Sequence, residues 1–148
     1  MNGATVADVM IHSTVAVRER TPVDEVARAL ATSHWPAITV VDDDRKVVGI
    51  VTAADLLPLL LARGWQRRPR RADAIAHPVP TVGPDTRVAD AVLLANQNEQ
   101  HALPVVDPAG ALLGMATRSD LVSALLRAER RPAVERTTPA ADTGKAAA

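Results

Sequence analysis

Apolar residues along the first half of the chain change from helical spacing to strand spacing and back again. After Thr21-Pro22, whose proline suits the first turn of a helix, Val, Ala and Leu recur at helical spacing. Two runs rich in Val and Ile then flank a polar turn, a pattern typical of a β-hairpin. The predicted elements are a one-turn helix over 6–10 capped by Thr5, a strand over 15–17, a helix that starts at Thr21-Pro22, hairpin strands over 37–41 and 46–52, and a helix over 53–62.

The second half of the chain repeats this pattern. When the sequence is shifted by 65 positions, residues 7–56 align with residues 72–121 without a gap. A close match within this alignment is that between GIVTAAD at 49–55 and GMATRSD at 114–120. Each copy is therefore predicted to run helix, strand, helix, strand, strand, helix.

The fold class that follows is mixed α/β, of the α+β type, built from two related units. One copy alone buries too little surface to be stable, so we expect the two to pack face to face about a pseudo-twofold axis with a central cleft. Clefts between such units are natural ligand sites. The predicted boundaries are 5–62 for the first repeat, 63–70 for an Arg-rich linker, 71–128 for the second repeat and 129–148 for a disordered C-terminal tail.

Composition narrows the function classes. The chain has 148 residues, 47% of them hydrophobic, and its aromatic residues are Trp35 and Trp65 alone, which argues against a base-stacking surface for single-stranded nucleic acid. Its 17 basic and 17 acidic residues cancel, so no net charge attracts nucleic acid or an anionic membrane. The absence of cysteine excludes disulfides and thiolate metal sites. No stretch has the pattern of a signal peptide or a membrane span, so we expect a soluble, cytoplasmic protein.

The Gly-x-x-Thr-x-x-Asp ending of each hairpin places Thr52 and Thr117 where a strand becomes a helix, and we call these segments the first and second corners. Free backbone N–H groups at such a corner favour a phosphate. Asp55 and Asp120 each carry two oxygens that can accept from neighbouring ribose hydroxyls. Arg118 adds a guanidinium group to the second corner, so we expect that corner to hold a phosphorylated ligand more tightly. The same spacing also fits a capping box, which is compatible with ligand binding.

The segments AITVVDDDRKVVGIVTAADL at 37–56 and ALPVVDPAGALLGMATRSDL at 102–121 resemble the tandem CBS domain family, whose members are CBS pairs or Bateman modules. The resemblance covers about 5–128. It implies a regulatory module rather than an enzyme, with AMP, ADP, ATP or S-adenosylmethionine bound in clefts between the repeats and no cofactor required. It also implies frequent dimerisation through the helices.

Carried over position by position, the resemblance assigns the ribose diol to Asp55 and Asp120. It places Thr52 and Thr117 near ribose or phosphate. Further residues are expected to line the ligand clefts. They are His12, Val15, Ala37, Ile38, His77, Pro80, Ala102 and Leu103.

One histidine recurs at matching positions of the two copies, and one position of the predicted hairpin differs between them. His12 and His77 match in the alignment, and a structural role, a phosphate contact and metal binding all remain open for them. The first copy departs from the family pattern at Thr39, where the second has Pro104, and it carries Trp35-Pro36 just upstream. The adenine side of the first cleft is therefore expected to differ from that of the second.

No catalytic motif such as a P-loop, GxSxG or HExxH occurs in the chain, so neither a catalytic residue nor a metal site is predicted. The acidic run at 42–44 aligns with the turn DPAG and is read as a solvated turn. The alternative to ligand sensing is an adaptor that binds protein or nucleic acid through the Arg-rich linker, although the balanced charge of the chain argues against nucleic acid. The helix around LLPLLL at 56–61 is apolar nearly all round, which favours a homodimer through the helices. No effector domain is evident, so the regulated target is expected to be an effector protein acting in trans.

Overall fold

The computed structural model describes residues 3–62, 64 and 70–136, with the side chains of 129–136 outside the description. The predicted linker residues 63 and 65–69, and the tail residues 137–148, lie outside the described residues. The elements are a 3₁₀ helix (Val6–Asp8), β1 (Ala16–Arg18), α1 (Val23–Ser33), β2 (Ala37–Val41), β3 (Val47–Thr52), α2 (Ala53–Leu61), α3 (Ala72–Ile75), α4 (Val88–Gln97), β4 (Ala102–Val106), β5 (Leu112–Thr117) and α5 (Arg118–Arg136).

The two predicted hairpins are confirmed. β2 pairs with β3, and β4 with β5, both antiparallel and with a bulge at equivalent positions. Asp42 closes the first turn, because its Oδ1 accepts hydrogen bonds from the backbone N–H groups of Asp44 at 2.8 Å and Lys46 at 2.9 Å. Asp107 closes the second turn in the same way. The aspartates in these turns therefore serve the backbone.

The predicted first strand of the second copy is reduced to one parallel bridge between Val82 and Val105. In the first copy, the corresponding strand Ala16–Arg18 pairs in parallel with β2. The ladder of the second copy is shorter because Pro104, which stands in the place of Thr39, has no N–H to continue it. The full order of helix, strand, helix, strand, strand, helix is therefore found in the first copy, and the second copy lacks the regular strand.

The first helix of each repeat packs on the hydrophobic core of the other repeat. Val6, which follows Thr5 in the first repeat, is fully buried in the cluster that contains Leu103 and Leu121. Ala72, at the start of the second repeat, is fully buried in the cluster that contains Ile38. Each packing unit thus combines one repeat with the first helix of the other, so the packing units differ from the repeats defined by sequence.

Backbone pairing shows how the segments after these first helices correspond. Ile11 exchanges two backbone hydrogen bonds with Met115 on β5, and His77 does the same with Ile50 on β3. Because Ile50 and Met115 are equivalent, Ile11 is the structural counterpart of His77. The gapless alignment, which paired His12 with His77, is wrong by one residue here, because the first copy has an extra residue before its first strand.

The last helix, α5, continues to Arg136, past the boundary at 128 where a disordered tail was expected. Ala, Glu and Arg in this stretch favour a helix and Pro132 disfavours one, while adding turns to an existing helix needs no new nucleation. The disordered tail predicted for 129–148 stays a prediction, since the side chains of 129–136 and all of 137–148 lie outside the described residues. Neither α5 nor any other described helix is long and apolar enough to cross a membrane.

Candidate functional site

The first corner has the geometry of a complete capping box. Thr52 ends β3 in an extended conformation and is the N-cap residue of α2. Its backbone N–H donates to Asp55 Oδ2 at 2.7 Å, and its hydroxyl donates to the same oxygen at 3.0 Å. Asp55 thus satisfies a backbone donor at the very place where a ligand contact is predicted.

The second corner has only one of the two reciprocal hydrogen bonds of a capping box, the one that the threonine hydroxyl accepts. Asp120 donates its backbone N–H to Thr117 Oγ1 at 3.2 Å, so the threonine closes the first turn of α5. The Thr117 hydroxyl also lies 3.4 Å from Ser119 Oγ. Within the described residues no donor bonds the half-buried Asp120 carboxylate. The Asp120 carboxylate therefore lacks the hydrogen bonds from the N-cap threonine that the Asp55 carboxylate accepts.

Arg118 lies at the second corner with its guanidinium group supported. Its Nη2 is 3.1 Å from His101 Nδ1, and its backbone N–H donates to the His101 carbonyl at 2.8 Å. Because arginine can only donate, His101 Nδ1 accepts in the side-chain contact. The first corner has Ala53 and Pro36 in these two places, so it offers neither the cation nor its support.

His77 brings the second repeat into contact with the first corner. Its Nδ1 lies 3.0 Å from Asp55 Oδ2, and the two side chains are 34% and 24% exposed. The sequence marks His77 as a lining residue without indicating this partner, because the two residues belong to different repeats. His12 is exposed and makes no hydrogen bond or ion pair within the part of the chain that the structure describes.

Two of the predicted lining residues lie beside the corners. Ala37 pairs with Thr52, and Ala102 pairs with Thr117, so each alanine begins the strand next to a corner. Both alanines are buried. Pro80 is half-buried in the irregular segment that precedes α4.

Three further predicted lining residues, Val15, Ile38 and Leu103, lie in or against the hydrophobic cores. Ile38 and Leu103 are fully buried in the two hydrophobic cores, and Val15 packs against the first of these cores. Successive side chains of a strand point to opposite faces, so Ile38 on β2 and Leu103 on β4 face the cores, and a ligand contact by these three residues stays a prediction.

A buried hydroxyl that sequence analysis did not single out for ligand chemistry lies on the inner face of β2. Thr39 is fully buried, and its Oγ1 has no hydrogen-bond partner in the described structure. Thr39 pairs with Ile50 on β3, while Pro104 pairs with Met115 in the second repeat. A buried hydroxyl without a partner typically destabilises a fold by about 1 to 3 kcal/mol. The difference between Thr39 and Pro104 in the sequence was the available signal.

One open groove of about 440 Å³ lies on the second repeat, lined mainly by 81–86 and 106–108. None of the predicted site residues lines it, so the groove and the corners are separate features. Across 3–62, 64 and 70–136, no cluster of three or more His, Asp or Glu side chains is arranged to hold a metal ion.

The family model of the CBS domain matches residues 6–62 and 72–127, which are the two repeats. Among solved structures, CBSX2 from Arabidopsis thaliana, a CBS-pair protein, is 29% identical with a TM-score of 0.75, over 87% of this chain and 99% of that one. The structure of CBSX2 in complex with AMP is 31% identical with a TM-score of 0.73, over 86% of this chain and 100% of that one.

Curated relatives extend this similarity to whole chains and to parts of longer ones. A CBS domain-containing protein of Dictyostelium discoideum is 30% identical over 82% of this chain and 91% of its own length. Homoserine O-acetyltransferase of Methanohalobium evestigatum is 27% identical over 78% of this chain but only 23% of the enzyme. The chain likewise spans less than a quarter of the length of two further relatives.

Proposed function

Because the chain belongs to the CBS domain family, we propose that it is a non-catalytic regulatory module that binds an adenosine-containing ligand between its two repeats. The observation that carries this proposal is the Asp120 carboxylate, which no described donor occupies, beside the supported guanidinium group of Arg118. The AMP complex of the 31% identical CBSX2 supports the same ligand class.

The second corner can recognise both the ribose and the phosphate of a nucleotide. Asp120 offers two carboxylate oxygens to a ribose diol, and charge-assisted hydrogen bonds of this kind are among the stronger ones in proteins. The first turn of α5 and Arg118 offer donors to a phosphate. AMP, ADP and ATP all carry the group that Arg118 would bind, whereas S-adenosylmethionine does not. We therefore favour an adenine nucleotide at this corner.

Replacing Arg118 with alanine is expected to weaken AMP binding about tenfold, because one charge-assisted contact to phosphate is lost. Adenosine binding should stay within about twofold, since adenosine has no phosphate. Isothermal titration of both ligands into both proteins measures the two ratios. The exposed Arg127, farther along α5, provides the control, and its replacement with alanine should leave both affinities unchanged.

Equal losses of AMP and adenosine affinity in Arg118→Ala would contradict the assignment of phosphate to this residue. If the unaltered protein binds none of AMP, ADP, ATP and S-adenosylmethionine at millimolar concentration, the sensor function itself is wrong. The Arg-rich linker would then be tested by the salt dependence of nucleic-acid binding.

We also propose that the module is a homodimer whose helices transmit ligand binding to an effector protein. Leu57 and Leu61 on α2 are 54% and 82% exposed, and their counterparts Val122 and Leu126 on α5 are 38% and 51% exposed. The two pairs are related by the same shift of 65 that relates the repeats. Two equivalent apolar pairs suit a second copy of the chain, because a twofold interface is self-complementary.

The double variant Leu61→Glu/Leu126→Glu is expected to be monomeric at concentrations where the unaltered protein is dimeric, because it places charges in an apolar interface. Size-exclusion chromatography with light scattering at micromolar concentration measures the mass. Leu93→Glu is a matched control, since Leu93 is 57% exposed on α4, outside this face. A monomeric mass for the unaltered protein would refute the dimer.

A further inference from the structure

The two corners differ in the residue that the other repeat places beside them. At the first corner this residue is His77, whose Nδ1 lies 3.0 Å from Asp55 Oδ2. The structural counterpart of His77 at the second corner is Ile11, since these two residues make the same backbone pairing with β3 and β5. Isoleucine has no polar side-chain atom, so it cannot engage the carboxylate of Asp120.

Asp55 Oδ2 accepts hydrogen bonds from two donors of Thr52 and also lies against the imidazole of His77. The backbone N–H and the hydroxyl of Thr52 lie 2.7 and 3.0 Å away, and His77 Nδ1 lies 3.0 Å away. The two Thr52 donors take up the two lone pairs of this oxygen, and the imidazole of His77 lies in contact with the same oxygen. A diol that contacts both carboxylate oxygens needs the space beside Oδ2, so it must displace the imidazole of His77.

The backbone of His77 is fixed in this position. Its N–H and its carbonyl each form a 3.0 Å hydrogen bond with the backbone of Ile50. Gly49 permits this close approach, because a Cβ at that position would lie 2.5 Å from the His77 carbonyl oxygen. The His77 ring can therefore leave Asp55 by side-chain rotation, whereas its backbone stays in place.

Resting on the function proposed above, we propose that His77 is a latch that occupies the ribose carboxylate of the first corner. A nucleotide then fills the second corner first, and the first corner accepts a nucleoside only when the imidazole rotates away. The ligand class of the first corner also differs. Ala53 stands in the place of Arg118, so this corner recognises the nucleoside and gains little from its phosphate.

Adenosine binding to an Asp120→Ala background tests the latch, because this background leaves the first corner as the ribose site. Adding His77→Ala is expected to tighten adenosine binding about two- to fivefold, the effect of removing one partly exposed side-chain contact to the carboxylate. Adding Ile11→Ala instead is the matched control, since it shortens the equivalent side chain without freeing a carboxylate, and it should not tighten binding. Isothermal titration measures all three proteins.

A second measurement needs no ligand and protects the test against a poorly folded variant. Long-range proton–nitrogen NMR spectra report which ring nitrogen of each histidine carries the proton, with His12, His34 and His101 as internal references. At neutral pH, His77 in the unaltered protein is expected to carry a proton on Nδ1, and Asp55→Ala should remove this preference. A His77 ring without Nδ1 protonation would overturn the latch whatever the titrations give.

The outcomes separate the latch from the function on which it rests. If the unaltered protein binds AMP but His77→Ala does not tighten adenosine binding in the Asp120→Ala background, the latch is wrong and the nucleotide function stands. If the unaltered protein binds no adenosine derivative, the proposed function is wrong and His77 has no ligand to exclude. Equal affinity of the two corners in the unaltered protein would also contradict the latch.

Discussion

Asp120→Ala is expected to weaken AMP binding about 10- to 150-fold while leaving the melting temperature of the ligand-free protein nearly unchanged. Hydrogen bonds to a charged group contribute about 1.5 to 3 kcal/mol, and 1.4 kcal/mol corresponds to a tenfold change in affinity. The Asp120 carboxylate accepts no hydrogen bond from the described residues, so its loss leaves no native donor unsatisfied. Isothermal titration and thermal unfolding measure the two quantities separately.

Asp55→Ala is the matched control, and its effects should be reversed. The Asp55 carboxylate accepts from the Thr52 N–H and hydroxyl and contacts His77, so its removal should destabilise the fold by about 1 kcal/mol. For a chain of this size that lowers the melting temperature by about 3 °C. AMP binding at the second corner should change little. Similar losses of affinity in both variants would argue against the difference between the corners.

Gly114→Ala is expected to destabilise the protein by about 3 kcal/mol and to lower its melting temperature by about 10 °C. A Cβ at Gly114 would overlap the carbonyl oxygen of Ile11, whose backbone is hydrogen-bonded to Met115. Neither β5 nor the segment at Ile11 can move apart without breaking that pairing. Gly49→Ala should have a similar effect, because its Cβ would meet the His77 carbonyl in the same way.

Gly83→Ala provides the control for these two variants. A Cβ at Gly83 would meet Val106 O at 3.8 Å and Thr86 Oγ1 at 4.0 Å, which are ordinary contacts. We expect the melting temperature of this variant to stay within about 2 °C of the unaltered protein. Thermal unfolding followed by circular dichroism distinguishes the three. A Gly114→Ala protein as stable as the Gly83→Ala protein would show that the inter-repeat pairing is not as close as described.

Local sequence rules predicted most elements of this fold. The caps at Thr5 and Thr52 and the aspartate turns depend on residues within four positions of one another, so their geometry can be inferred from the sequence itself. The shortened first strand of the second copy was also predictable, because Pro104 cannot donate to a ladder.

Other features depended on how the two repeats meet. The exchange of first helices could not be inferred from periodicity, because Val6 and Ala72 would satisfy a helical pattern against either core. The one-residue offset that makes Ile11 the counterpart of His77 was concealed by matching histidines in the gapless alignment. Strand alternation also decided that Ile38 and Leu103 face the cores.

The sequence by itself determined that the chain holds two related units, each ending in a corner with a threonine and an aspartate, because those features rest on local spacing. The tertiary structure decided what surrounds each aspartate. His77 reaches Asp55 while Ile11 stands in the equivalent place beside the second corner, and this depends on docking between segments from different repeats. Two corners with the same motif therefore have carboxylates with different contacts, since a carboxylate bonds to whichever donors the fold brings within about 3 Å.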